Sequence, residues 1–402
     1  MRVNPASISS ILTLRYNPIK KSQILPRVWQ DFREKHSANQ IGYVEETLQN
    51  TIKKHIRKTR AKKVSIALSG GIDSTLVLLM LKKAVPDISV EAISVKFSDS
   101  FDESTTARKI AERLGAEHNT LYLENYLEEL PKAISIIKEP FWDLHWYYLA
   151  KKSKTISNVL LSGDGGDELF GGYTFRYEKF LSSVEPNFTS LDKAKLYLMC
   201  HERDWVPDQE KLFGHKIKFS WDNIYDRIKE YFDNPLSSLS QVFLADFNGK
   251  LLYNWIPLYS KIHKYFGIDS LSPILSKEMI YFAIHLENKL KYDNKSNLGK
   301  ILLRKILSKY GISSLILDEK RGFSVNTLKL WKSHGFHLCD YYLSKARIIE
   351  EGLINQEWTK KYISKRYDLD IRYVNKFFGL LALEIWFRLF VTKEMNPNAK
   401  LS

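Results

Sequence analysis

The chain has 402 residues, with 61 Lys and Arg against 46 Asp and Glu for a formal net charge of +15, and 44% hydrophobic residues. That length and apolar content suffice for a large core in two packed lobes and exclude a disordered chain. Two cysteines without pair spacing, Cys200 and Cys339, argue against a disulfide framework and against zinc, and no apolar stretch approaches the ~20 residues that span a bilayer.

Residues 1–40 read as irregular and polar, with an apolar patch at Ile8–Leu14 too broken for a signal peptide, so a cytoplasmic location is expected. A helical pattern at Val44–Arg57 leads into a first strand, Val64–Leu68, and a helix running to Ala84. Strand and helix then alternate through Val90–Val95, Glu103–Leu114, His118–Leu123, Tyr126–Ile137, Leu144–Thr155 and Asn158–Leu161. Such alternation predicts βαβ units: an α/β fold with a parallel sheet and flanking helices, whose ligands sit at the carboxyl ends of the strands. From about residue 186 the pattern is mostly helical, as in Leu191–Cys200, Lys277–Leu286, Leu298–Tyr310 and Val374–Phe390. The expected organisation is a partly helical N-terminal extension over 1–60, an α/β core over 61–185, and a helical C-terminal lobe over 186–402. The lysines are spread along the chain with no dense block, so nucleic acid is not an expected partner despite the charge. The ten histidines do not cluster.

Two loops carry the chemical signal. After the first strand comes Leu68-Ser69-Gly70-Gly71-Ile72-Asp73-Ser74-Thr75, where small residues let backbone N–H groups approach an anion and a helix N-terminus adds its partial positive charge. No Gly-Lys-Ser/Thr follows, so this is not a Walker loop. A Gly-Gly pair alone is an ordinary tight turn; the Ser, Asp and Ser-Thr around it argue for more. After the fourth strand, Ser162–Gly172 holds five glycines and three acidic residues in eleven positions. A solvated turn has no use for that many carboxylates. Magnesium prefers hard oxygen ligands and takes one or two carboxylates plus phosphate oxygens, which makes Asp73 and Asp167 the expected ligands of a Mg2+ that accompanies ATP.

At these residues the chain resembles the synthetase domain of the glutamine-dependent (B-type) asparagine synthetase family, with its Ser-Gly-Gly-x-Asp-Ser pyrophosphate loop and its Gly/Asp-rich second loop ending in Phe-Gly-Gly-Tyr. Phe101-Asp102-Glu103-Ser104, Glu139-Pro140-Phe141-x-Asp143, Lys300-x-Leu302-Leu303-Arg304 and Lys320-x-Gly322-Phe323 resemble further motifs of that family, from about residue 40 to about 390. The resemblance implies a pyrophosphate-loop, adenine-nucleotide α-hydrolase-like fold. It also implies ATP-dependent, AMP-forming amide synthesis, with aspartate to asparagine as the family default. Arg2 stands where the family's glutaminase nucleophile, a cysteine after the initiator Met, would be, and the stretch before the first loop is too short for a glutaminase domain. No glutamine hydrolysis is therefore expected; ammonia or another amine serves, or a separate glutaminase subunit supplies the nitrogen. In the C-terminal half Leu271 replaces an Arg, Ser276 an Asp, Asp318 an Arg and Asn326 a Pro, which leaves a sugar acid, a peptide or a metabolite carboxylate open as the acid.

The resemblance implies roles residue by residue. Leu68 and Val95 frame the adenine by backbone contacts, Ser69, Gly70, Gly71, Asp73 and Ser74 cradle the phosphates, and Ser162 and Gly163 close over the nucleotide. Lys320 reaches in to stabilise charge on the departing pyrophosphate. Asp164 acts as general base toward the incoming amine, although an Asp with an ordinary pKa near ~3.9 needs partial burial for that; its alternative is to support magnesium. Glu139 and Asp143 are candidates for orienting the amine, with helix capping as the alternative. Other readings of the whole chain are a pyrophosphate-loop enzyme that modifies RNA, and a nucleotide-binding subunit without catalysis of its own.

Overall fold

The computed structural model describes residues 3–36, 38–97, 104–316, 326–365 and 370–402. Five parallel strands form the sheet: β1 (Lys63–Ala67), β2 (Ser89–Phe97), β3 (Glu117–Leu123), β4 (Val159–Leu161) and β5 (Asp269–Leu271), in the order β3-β2-β1-β4-β5. The first four lie where the alternating pattern placed them. The fifth does not: Asp269–Leu271 sits in the mostly helical half, and it pairs with β4 through Val159↔Asp269 and Leu161↔Leu271. Three residues with two polar side chains carry no period of their own, so only the neighbouring strand reveals this one.

Both faces of the sheet are covered, as parallel pairing requires. Alternate residues point to opposite cores. Val64, Ile66, Val90, Ala92, Val159 and Leu161 face one cluster with α2 (Gln40–Thr59) and α3 (Ile72–Ala84). Ala67, Ile93, Phe97 and Leu160 face the other, with α5 (Leu130–Ile137), α6 (His145–Lys154) and the helix Ile371–Phe390. On the same face as α3, α4 (Ser104–Arg113) packs beside β2 and β3.

The N-terminal stretch corrects one expectation. Most of residues 15–36 is irregular, as expected, but Pro5–Leu14 forms a helix, α1, that starts at Asn4, whose side chain accepts from the Ser7 N–H at 3.1 Å, with Pro5 pre-set for the first turn. It stops at Arg15 in the left-handed conformation. The broken apolar patch is a helix stripe, because Ile8 and Leu12 pack into the same cluster as the helix Ile371–Phe390, each worth about 1.5–3 kcal/mol of burial. The Leu12 carbonyl accepts from Gln209 Nε2 at 3.1 Å and from the buried Lys376 ammonium. No helix among the described residues is long and apolar enough to cross a membrane.

Candidate active site

The chain runs from β1 outward to β2 and β3, then returns to the other side of β1 for β4 and β5, so the direction of winding reverses between β1 and β4. In an open α/β sheet the crevice at the carboxyl ends of two such strands is where ligands bind. Both small-residue loops open there.

The first loop is stapled by its own serines. Ser69 Oγ accepts from the Gly71 N–H at 3.3 Å and lies 3.3 Å from Ser74 Oγ, which donates to the Gly71 carbonyl at 3.3 Å. Gly70 takes φ +75°, a turn that an L side chain resists. Gly71 caps α3 with no side-chain acceptor for the helix amides, so the N–H groups of the first turn face the crevice. The Leu68 N–H is used in the sheet, to the Ile93 carbonyl at 3.0 Å, and its carbonyl accepts from Ser94 Oγ at 2.7 Å. Val95 is half-buried in β2, opposite Leu121 of β3.

The second loop leaves β4 with the Ser162 N–H bonded to the Leu271 carbonyl at 3.0 Å. Ser162 Oγ donates to Asp164 Oδ2 at 2.7 Å, and Ser272 Oγ, just past β5, donates to the Asp164 carbonyl at 2.7 Å. Gly163 lies against the first loop so tightly that a Cβ there would stand 2.7 Å from both the Asp73 carbonyl carbon and the Ser74 nitrogen; one at Gly166 would sit on the Asp73 carboxylate. The glycines thus exist to bring two acidic loops into contact. A short helix, Gly166–Phe170, then presents Asp167 and the buried Glu168. Burial and then the charge of Asp167 push Glu168 up to about 7, against the hydrogen bond it accepts from the Tyr173 hydroxyl at 2.5 Å.

One residue joins the two loops that the motif reading did not assign to the site. Lys300, only 2% exposed, places its ammonium on the Asp73 carboxylate and 2.5 Å from Asp167 Oδ1. Its signal was present, as the first residue of the Lys-x-Leu-Leu-Arg string; what the string lacked was a direction. Asp73 and Asp167 therefore converge on a single cation. This is the arrangement a magnesium ion would use, with carboxylate oxygens on the protein side and phosphate oxygens and water completing the shell. Among the described residues no group of three or more His, Cys, Asp and Glu gathers around one point, so a metal here would rely on its nucleotide for much of its coordination.

Lys320, with Gly322 and Phe323, falls outside the described residues. Glu139 and Asp143 stand apart from the two loops, each held by cations. Lys261 Nζ donates to Glu139 Oε1 at 2.6 Å and Lys20 lies 3.0 Å away, while Asp143 pairs with Arg15 at the end of α1. Asp143 does not cap α6, whose cap is Leu144. Tyr259 connects the two regions: burial, then the charges of Asp164, Glu168 and Asp143, raise its hydroxyl well above the ordinary range. Tyr259 also lines an open cleft of about 660 Å³ with Ser162, Asp164, Ser270, Ser272 and Leu275. Of the altered positions, Leu271 is half-buried in β5, and Ser276 caps the helix Lys277–His285 by accepting from the Met279 N–H at 3.3 Å.

These features define a class: an open parallel α/β protein whose switch-point crevice is flanked by two small-residue loops, with Lys300 between the Asp73 and Asp167 carboxylates. The asparagine synthase family model matches residues 43–388, and the chain belongs to that family. It is 26% identical to asparagine synthetase [glutamine-hydrolyzing] 1 of Bacillus subtilis over 89% of this chain and 61% of the relative, so it spans about three-fifths of that protein's length. A putative asparagine synthetase [glutamine-hydrolyzing] 2 of Methanocaldococcus jannaschii is 33% identical over 27% of this chain and 22% of its own. Among solved structures, an NMN synthetase from Francisella tularensis aligns with 51% of this chain and 92% of its own at 17% identity, with a TM-score of 0.28, too low to add to what the strand order shows.

Proposed function

We propose that the chain is an ATP-dependent, AMP-forming amide synthase. The observation that carries this reading is the convergence of Asp73 and Asp167 on one cation between two glycine-rich loops at the switch point. Backbone N–H groups of Ser69–Ser74 and the start of α3 hold the triphosphate, and Ser162 and Gly163 close over it. Magnesium, when bound with ATP, withdraws charge from the phosphates and helps pyrophosphate leave. Asp73 and Asp167 are the residues that would hold it. A substrate carboxylate attacks the α-phosphorus, pyrophosphate departs, and an acyl-adenylate remains. Lys320 is assigned to the charge that develops on the departing pyrophosphate. An amine then attacks the activated carbonyl, Asp164 takes its proton, and AMP leaves. Asp164 is suited to this because its carboxylate is fixed by Ser162 and faces the cleft.

Aspartate is the acid to try first; the cleft beside Asp164 has room for a larger one, since ligand pockets of roughly 300–1,000 Å³ take drug-sized molecules. Glu139, paired with Lys261 and Lys20, and Asp143, paired with Arg15, are assigned to orienting the incoming amine. The nitrogen comes from ammonia, another amine, or a separate glutaminase. The test is product analysis with Mg·ATP, ammonium and either aspartate or a panel of carboxylic acids. AMP, pyrophosphate and an amide are expected together, and are lost in Asp73→Ala. ADP in place of AMP, or AMP release that survives Asp73→Ala, would refute the proposal.

A further inference from the structure

We propose that Lys300 is a built-in counter-ion that occupies the metal position while the nucleotide is absent, so that the divalent ion and ATP can each bind well only in the other's presence. The inference rests on the nucleotide site proposed above and adds to it an order of binding. Its basis is geometric. The Lys300 ammonium touches both Asp73 and Asp167, and the side chain is sealed from solvent. The stem is fixed. Lys300 adopts φ +57° at the start of the helix Ile301–Lys309, its N–H donates to the Phe170 carbonyl at 3.1 Å, and its Cε passes Gly172 so closely that a Cβ there would stand 2.5 Å away. The head is not fixed in the same way, because an ammonium on four methylenes can change partner without moving the backbone.

Charge competition gives the consequence. With Lys300 in place, one ammonium is shared by two carboxylates. A divalent ion entering between Asp73 and Asp167 meets the Lys300 ammonium already seated on the same two carboxylate groups, and the two cations compete for them in a region with little water to screen their repulsion. The protein alone resists that ion. A triphosphate reverses the balance: its oxygens complete the metal shell and accept the displaced ammonium, which then lies a side chain's swing from the phosphates. By linkage the coupling is reciprocal, so the ion must tighten the nucleotide as much as the nucleotide tightens the ion. Lys300 becomes a positioning residue for the phosphates only after it has been released.

Mn2+ titration of the full chain, followed by the paramagnetic signal of the unbound ion, tests this with and without α,β-methylene-ATP. In the wild type the analogue is expected to tighten Mn2+ about tenfold or more. In Lys300→Met, Mn2+ without nucleotide should bind about tenfold more tightly than in the wild type, and the analogue should then add less than about threefold. Melting is the second readout: Mn2+ alone should raise the midpoint of Lys300→Met, whose two carboxylates lack their cation, and leave the wild type nearly unchanged. Lys300→Arg, which keeps the charge, should behave as the wild type in both assays. Lys300→Met binding Mn2+ no more tightly than the wild type, while the analogue still tightens both, would overturn the counter-ion role alone. Mn2+ that binds neither protein even with the analogue would overturn the nucleotide site as well.

Discussion

The contact between the two loops depends on Gly163, and Gly163→Ala isolates it. The backbone there does not lie in the left-handed region, so alanine can adopt it and the effect is purely steric. The new Cβ would stand 2.7 Å from the Asp73 carbonyl carbon and the Ser74 nitrogen, where ordinary contact begins at 3.4 Å, so the loops must part by about 0.7 Å. Both partners are backbone atoms at the start of α3 and cannot rotate away. Overpacking of this kind costs about 1–3 kcal/mol of stability. The larger loss is catalytic: a misplacement of about 1 Å can cost on the order of 10²-fold, so a fall in kcat/KM of roughly 10- to 100-fold is expected. Gly311→Ala is the control. Gly311 has φ +67° and open space around it, so alanine costs roughly 1–2 kcal/mol of backbone strain while the crevice is untouched. Steady-state AMP formation and thermal melting, measured on both variants, separate the two effects. Gly163→Ala with wild-type kcat/KM, or an equal catalytic loss in Gly311→Ala, would show that loop contact does not set the site.

Asp164→Asn keeps the hydrogen bond to Ser162 but removes the base, so exchange of labelled pyrophosphate into ATP should continue with the true acid while amide formation falls by about 10²–10⁴-fold; equal loss of both would place Asp164 in the first step instead. A pH effect follows from His263, buried and pushed down to about 4 by that burial. The unfolded chain holds this proton below about 6.5 and the folded chain only below about 4. Stability is therefore intact above pH 6.5 and falls by up to about 3 kcal/mol as the pH drops toward 4. Urea unfolding at pH 7 and 4.5 should show His263→Gln losing less than the wild type, and identical losses would refute the assignment.

What could be read from the sequence was whatever has a local cause. β1 and β4 are short, mostly apolar runs that lead into turn residues, β2 and β3 follow from the strand–helix alternation, and the two loops are named by composition alone. α1 was missed because Ser7, Ser9 and Ser10 dilute its stripe, and only the Ile371–Phe390 helix across from it shows why Ile8 and Leu12 are apolar. β5 was missed because pairing, not propensity, makes it a strand. At the candidate site, Asp73 and Asp167 stand out by the composition of their loops, whereas the roles of Ser162 and Gly163 come from the family resemblance. Lys300 does not stand out, because a lysine in a chain with this much positive charge is distinguished only by where its ammonium ends.

The late arrival of β5 bears on how the protein is made. Leu161 and its partner Leu271 are separated by about 110 residues, so at roughly 5–20 residues per second the outer edge of β4 waits roughly 5–20 s on the ribosome for its neighbour. During that interval the edge presents unsatisfied N–H and C=O groups to any passing strand. The second loop is also unanchored, since Ser272 has yet to hold the Asp164 carbonyl, and Lys300 emerges later still. A nascent chain that has completed β1 to β4 therefore carries an open strand edge and cannot yet gather its two carboxylates around Lys300.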